Sequence, residues 1–320
     1  MKRIIRLMLR MCGLIVLGVA LLGVVISQPT FRTNNLSGES VSAEKLKEHV
    51  VMLSQTFHPR DGSHPENMGR CADYIVAHFA RAGAVVESQA IHFQGRQYRN
   101  VIGRFRVGQG PKVIVGAHYD SCGDTPGADD NASGVAALIE LAYLLQKTPP
   151  GQEVELVAYA NEEPPFYKTD QMGSAVHAKS IKGQKIKGVI VLEMVGYFRD
   201  ERGSQQYPSG VLKAWYPNRG NFIGVVGAAD QGEWINAVKV GMKGATDLPV
   251  YSIRAPAMLP GIDLSDHASY WPHKIPAVMI TDTAFYRNEA YHALEDTADR
   301  LDYSRMSKVV VAVSAALRTL

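Results

Sequence analysis

Several scarcities set the first limits on this chain. Its 320 residues hold only three cysteines, Cys12, Cys71 and Cys122, too few for a disulfide framework to replace a core. A Cys71–Cys122 pair is open to a protein outside the cytosol, and free thiols are equally consistent. Neither sign of charge dominates: 34 Lys and Arg against 31 Asp and Glu leave a net charge of +3. Beyond the N-terminus no basic run interleaves with aromatics, so nucleic acid is not an expected partner. Internal repeats and low-complexity linkers are lacking as well. What remains, 46% hydrophobic and 20% charged residues, describes a globular chain with material for a sizeable core.

One long apolar run stands out, Met11 to Ile26, preceded by Lys2, Arg3, Arg6 and Arg10. A basic flank and about 16 apolar residues fit a signal peptide or a short membrane anchor. The following Val-Val-Ile-Ser-Gln-Pro-Thr offers no small-residue cleavage site, which favours an uncleaved anchor. Positive charge stays in the cytoplasm, so the remainder should face outward. Residues 1–29 are therefore expected as a signal-anchor or signal peptide, 30–42 as a polar tether and 43–320 as a single catalytic domain.

Within 43–320, apolar strand-like runs alternate with helical spacing. Helices are expected over 43–57, 67–82, 173–181, 233–242 and from Ser304, and strands over 84–93, 98–107, 113–115, 153–160, 188–195, 222–226, 249–253 and 276–281. This alternation predicts an α/β protein, a three-layer α/β/α sandwich around a mixed, mostly parallel sheet. Residues 203–220, rich in glycine and proline, read as a long surface loop near the site.

The stretch Val113–Gly134 organises the rest. A β-branched run ends at Gly116, and His118 and Asp120 follow two apart, on one side of an extended strand end. A loop with Asp124, Asp129, Asp130 and Asn131 comes next, then a helical pattern from Val135. Open α/β sheets place their sites at such carboxyl ends of strands. Other apolar runs lead to Asn161-Glu162-Glu163, to Glu193, and to Tyr291-His292. His118, Asp130, Glu163, Glu193 and His292 make two imidazoles and three carboxylates, a mixed N/O set that suits Zn²⁺ and exceeds one tetrahedral site. Two ions sharing a carboxylate would use all five. Of the Glu162–Glu163 pair, one can ligate while the other serves as general base, its pKa raised by burial and repulsion. Asp120 is placed to orient the His118 ring. Cys122 is a competing soft ligand, disfavoured beside five harder ones. Asp266-His267 reads as a helix cap with local packing, orienting substrate or a loop being the alternative, and Asp124 and Asp129 read as loop carboxylates. The other histidines lack ligand context.

In this order GAHYDS, GADDNASG, NEE, LEMVGY, SDHASYW and AVMITDTAFYRNEAYHALEDT resemble the co-catalytic di-zinc aminopeptidases, a family grouped with glutamate carboxypeptidase-like enzymes and glutaminyl cyclases. The resemblance runs from about Glu44 to the C-terminus. It implies zinc ligands at His118, Glu163, Glu193 and His292, a bridging Asp130, Glu162 as general base, and two zinc ions. Glu193 departs from the aspartate usual there by one methylene. The implied activity is removal of N-terminal residues from peptides, with an apolar pocket drawn from Tyr197, Phe198, Met258 or Phe285. A single-zinc cyclase-like transferase is the alternative. A membrane-tethered binding ectodomain would have lost ligands, and none is missing. Carboxypeptidase action would need an arginine patch, for which Arg199, Arg202, Arg219 and Arg254 are available.

Overall fold

The computed structural model describes residues 2–320 and has one eight-stranded sheet with helices on both faces. The strands are β1 (Val85–Phe93), β2 (Arg96–Phe105), β3 (Lys112–His118), β4 (Val154–Tyr159), β5 (Ile186–Glu193), β6 (Ile223–Ala228), β7 (Val250–Ala255) and β8 (Ala277–Thr281). Their spatial order is β1-β2-β4-β3-β5-β8-β6-β7. The central strands β4, β3, β5 and β8 run parallel. On one flank β1 and β2 are antiparallel additions, and on the other β6 pairs antiparallel with β8 and parallel with β7. The expected mixed three-layer α/β/α fold is the one observed.

Side-chain alternation along the central strands builds two cores. Val113 and Val115 of β3 and Ile190 and Leu192 of β5 face one layer, made of α2 (Ala43–Val51), α3 (Pro65–Arg81), α4 (Gly134–Lys147), α6 (Gly232–Met242) and α7 (Tyr303–Thr319). Ile114, Val189 and Val191 face the other, where α5 (Gly173–Ser180) and the short turn Asp266–His273 supply Ala178 and Tyr270. With both faces covered, the central strands are buried throughout, which is why they read as unbroken apolar runs.

At the N-terminus α1 (Lys2–Ser27) contains the apolar run, and Met8–Ser27 is long and apolar enough to cross a membrane. Its last turn docks on the edge strand β7: Ser252 Oγ donates to the Ser27 carbonyl at 3.0 Å. The expected tether, 30–42, is bound rather than free. Asn34 donates from its backbone to Lys243 O (2.6 Å) and from its side chain to Gly241 O (2.9 Å), and Ser37 N–H reaches Ala245 O (2.9 Å). Gly241 is in the last turn of α6, where carbonyls lack partners within the helix, and Lys243 and Ala245 follow directly after it.

Candidate active site

Parallel strands deliver the site residues to one edge. His118 is the last residue of β3 and Glu193 the last of β5; Glu162 and Glu163 follow β4, Asp130 precedes α4, and His292 lies in the loop after β8. All five sequence-predicted ligands meet. Asp130 sits in the middle: its Oδ1 is 3.3 Å from His118 Nε2 and its Oδ2 is 3.1 Å from His292 Nε2. Glu193 Oε2 approaches the same His118 nitrogen at 3.3 Å, and Glu163 Oε1 approaches His292 Nε2 at 3.2 Å. His292 is held there in a left-handed backbone conformation, φ 54°, which L side chains adopt at a cost.

A set of buried groups fixes these positions. One carboxylate, Asp120, lies 3.4 Å from His118 Nδ1 and accepts the backbone N–H groups of Glu162 (3.1 Å) and Glu163 (3.0 Å). Asp296 accepts the N–H groups of Asp129 and Asp130, each at 3.0 Å, and so locks the central carboxylate. The preceding turn needs Gly127, whose φ is 57° and whose missing Cβ makes room for Asp130 O and the Arg60 guanidinium. Arg60 is completely buried and donates to the carbonyls of Tyr119, Pro126 and Gly127. Asn131 ties the loop to β5 by donating to Leu192 O at 2.8 Å.

The electrostatics call for positive charge. Both ring nitrogens of His118 are buried without a hydrogen bond of good geometry, as is Glu163 Oε1, although charged atoms surround them. Burial works against a protonated His118, yet Glu193, Asp120 and Asp130 outweigh it and raise its pKa well above the ordinary value. The same contest carries His292 to about 10, with Asp130 and Glu163 prevailing. Burial pushes Glu162 well up, offset in part by His118, and lifts Glu163 to about 7 with help from Asp130. Converging N and O donors, several unsatisfied, fit a borderline divalent cation such as Zn²⁺. With the Cys122 sulfur added, the donors here fall into two groups, His118–Asp130–Glu193 and Cys122–Glu163–His292, in each of which the ligand atoms lie within 4.8 Å of one another.

Other expectations change. Asp266 is not a cap: it makes no capping bond, is wholly buried, and has no hydrogen-bond partner for either oxygen. Burial raises it to about 7, with the charges of His118, Glu193 and Asp120 acting on it. Its neighbour Ser265 donates to Glu193 Oε2 at 2.7 Å, while His267 bonds Ile262 O and packs on Trp271 as expected. Asp129 is not a solvated loop carboxylate either; fully buried, it accepts Gly196 N–H (3.0 Å) and Asn288 Nδ2 (2.9 Å). The three cysteines are free. An apolar cleft opens beside Glu193, walled by Tyr207, Tyr216, Ile253, Met279, Phe285 and Tyr291. Of the expected pocket residues only Phe285 lines it; Tyr197 and Phe198 stack under Arg300 and Arg287, and Met258 points to solvent. The 203–220 loop does lie at the site, contributing Gln205 through Pro208 and Tyr216.

Sequence alone assigns no role to Asp296 or Arg60, and it reads Asp266 first as a cap. Their partners are backbone groups or buried charges far along the chain, so no local spacing marks them.

The five converging side chains and Glu162 fall in a region, 100–317, that matches the model of peptidase family M28. The chain is 47% identical over 312 residues to the uncharacterised protein YfbL of Escherichia coli K12, covering 95% of this chain and 96% of YfbL. A probable leucine aminopeptidase of Arthroderma otae is 27% identical over 224 residues, 64% of this chain and 53% of that protein, so the chain spans about half of it. In fold, the Legionella pneumophila LapA aminopeptidase superposes with a TM-score of 0.68 at 19% identity, covering 88% of this chain and 73% of that one. The Bacteroides thetaiotaomicron glutaminyl cyclase bound to N-acetylhistamine gives 0.66 at 18% identity, with 88% and 99% covered. With two thirds of its length matched by the family model and a near full-length relative beside it, the chain belongs to peptidase family M28.

Proposed function

We propose that this chain is a zinc aminopeptidase that removes N-terminal residues from peptides, with Glu162 as general base. The observation that carries the reading is Asp130, whose two oxygens face different imidazoles, His118 and His292. His118 and Glu193 would hold one ion, Glu163 and His292 a second, and Asp130 both. Zinc bound there supplies Lewis acidity toward a scissile carbonyl and makes water a better nucleophile at neutral pH. Glu162 takes the proton of the attacking water and returns it to the leaving amine. Its carboxylate is buried, and burial raises its pKa, the direction that makes a carboxylate a stronger base. Carboxylates outnumber imidazoles at the site, and among the described residues no arginine lines the cleft. That balance suits a terminal ammonium rather than a terminal carboxylate. The apolar cleft beside Glu193 would take the side chain of the N-terminal residue.

Residues 43–320 form the catalytic domain in this reading, 1–29 a signal-anchor or signal peptide, and the domain stands outside the cytoplasm. The fold likeness to glutaminyl cyclase keeps a single-zinc transferase as the second reading. Against it stands the complete second ligand group around His292. The test uses the full-length protein in detergent, measuring zinc content and hydrolysis of aminoacyl-nitroanilides. Two equivalents of zinc are expected, with Glu162→Gln losing about 10²–10⁴-fold in kcat while retaining the metal. One equivalent, no hydrolysis, and cyclisation of an N-terminal glutaminyl peptide would establish the transferase instead.

A further inference from the structure

We propose that Cys122 is a direct ligand of the metal position held by Glu163 and His292, giving that position a sulfur donor. This inference rests on the metal reading above. Cys122 sits in the loop after β3, and its Sγ, a Glu163 carboxylate oxygen and a His292 ring nitrogen lie within 4.8 Å of one another. Glu163 is only 4% exposed, and its Oε1 has no hydrogen-bond partner while lying among these groups. No disulfide removes the thiol, and it is partly open to solvent, so it is free to turn toward an ion.

The consequence is an asymmetric pair. With Asp130 Oδ2 beside His292, the second position has four protein donors: sulfur, nitrogen and two carboxylates. Four protein ligands close a tetrahedral zinc site, whereas three leave a coordination position for substrate or water. The position formed by His118, Asp130 and Glu193 has three. The first is thus the open, reacting position, and the second the tightly held one. A thiolate also favours soft and borderline ions over Mg²⁺ or Mn²⁺. On coordination the thiol proton leaves to solvent, since the ligand is the thiolate.

Cobalt substitution tests this without relying on activity. Full-length protein in detergent is stripped with a chelator and titrated with Co²⁺. Visible d–d bands report bound cobalt, and a near-ultraviolet charge-transfer band reports a thiolate ligand. The expected result is a charge-transfer band in the wild type and in Cys71→Ala. It should be lost completely in Cys122→Ser, with the d–d bands persisting. Cobalt bound without that band, or a band that survives Cys122→Ser, overturns the proposal alone. No cobalt binding at all overturns the metal reading with it. A second measurement needs no variant: zinc loading should slow alkylation of Cys122 by iodoacetamide about tenfold or more, because a coordinated thiolate is a poor nucleophile. Equal labelling with and without zinc counts against the proposal.

Discussion

Asp120 shows how one side chain can set the geometry of a whole site. Its two oxygens accept the N–H groups of Glu162 and Glu163 while one of them faces His118 Nδ1, so a ligand imidazole, a ligand carboxylate and the base share one anchor. Asp120→Asn would turn an amide NH₂ toward a backbone N–H, setting donor against donor. The expected result is a loss of about 10–100-fold in kcat/KM together with weaker zinc retention. Activity and metal content indistinguishable from wild type would show that other contacts position the Glu162–Glu163 dipeptide. Residues of this kind divide by legibility. His118, Asp130, Glu163 and Glu193 are readable because each ends or follows an apolar strand or lies just before a helix, where side-chain type alone betrays a site; His292, in the loop after β8, is readable from the Tyr-His and Glu-Asp-Thr motif around it. Asp296 and Arg60 act on backbone N–H and carbonyl groups, and any polar residue at those positions would look the same in sequence. Asp266 opens a helical turn, so it mimics a cap while its charge acts on Glu162 and Glu193.

Strands and helices of residues 43–320 are legible almost throughout, because a sheet covered on both faces leaves period and apolarity unmixed with solvent. Strand order is not, since it depends on pairings between distant segments. Glu155 of β4 shows what such pairing brings together. Its side chain is fully buried and receives Arg104 Nε of β2 (2.7 Å), Lys112 Nζ of β3 (2.9 Å) and His177 Nε2 of α5 (3.1 Å). Burial alone would raise its pKa, but His177 and Lys112 overcome that and hold it well below the carboxylate range. A folded pKa below the unfolded one contributes stability that is present above the unfolded value and is lost as pH falls through the folded value. Glu155→Gln should therefore destabilise the protein at pH 7 by about 3 kcal/mol, the low end for breaking a buried pair. Lys112 keeps Glu153 and Arg104 keeps Glu87, which limits the damage. The gap between variant and wild type should begin to narrow as pH falls below about 4.5 and shrink progressively from there, as the wild-type carboxylate loses its advantage. Chemical denaturation across pH checks it; a gap independent of pH would assign the effect to packing instead of charge.

The whole molecule joins its membrane-length helix to the cleft more closely than composition suggests. Polar residues 30–42 look like free chain, because backbone bonds to the carbonyl end of α6 leave no compositional mark. In the structure, Lys239 Nζ donates to the carbonyls of Ser27 (3.1 Å) and Gln28, and Lys243 Nζ donates to Thr30 O at 2.6 Å. Burial, with Lys243 nearby, lowers Lys239 to about 8. The wall of the cleft is one step away: Tyr251, Ser252 and Ile253 of β7 line it, and Ser252 also holds Ser27. The end of α1 and the cleft wall thus share a strand, and the helix should not swing independently of the site. Trypsin gives a direct readout, since Arg32 is exposed but lies in the strapped segment. Cleavage requires local release of the backbone, whose equilibrium the two lysines oppose. In the full-length protein, cutting at Arg32 should be slow, and replacing Lys239 and Lys243 together with Met should speed it while preserving the apolar stems. Equal rates in both proteins would mean that the segment is already free and that the domain moves on a tether.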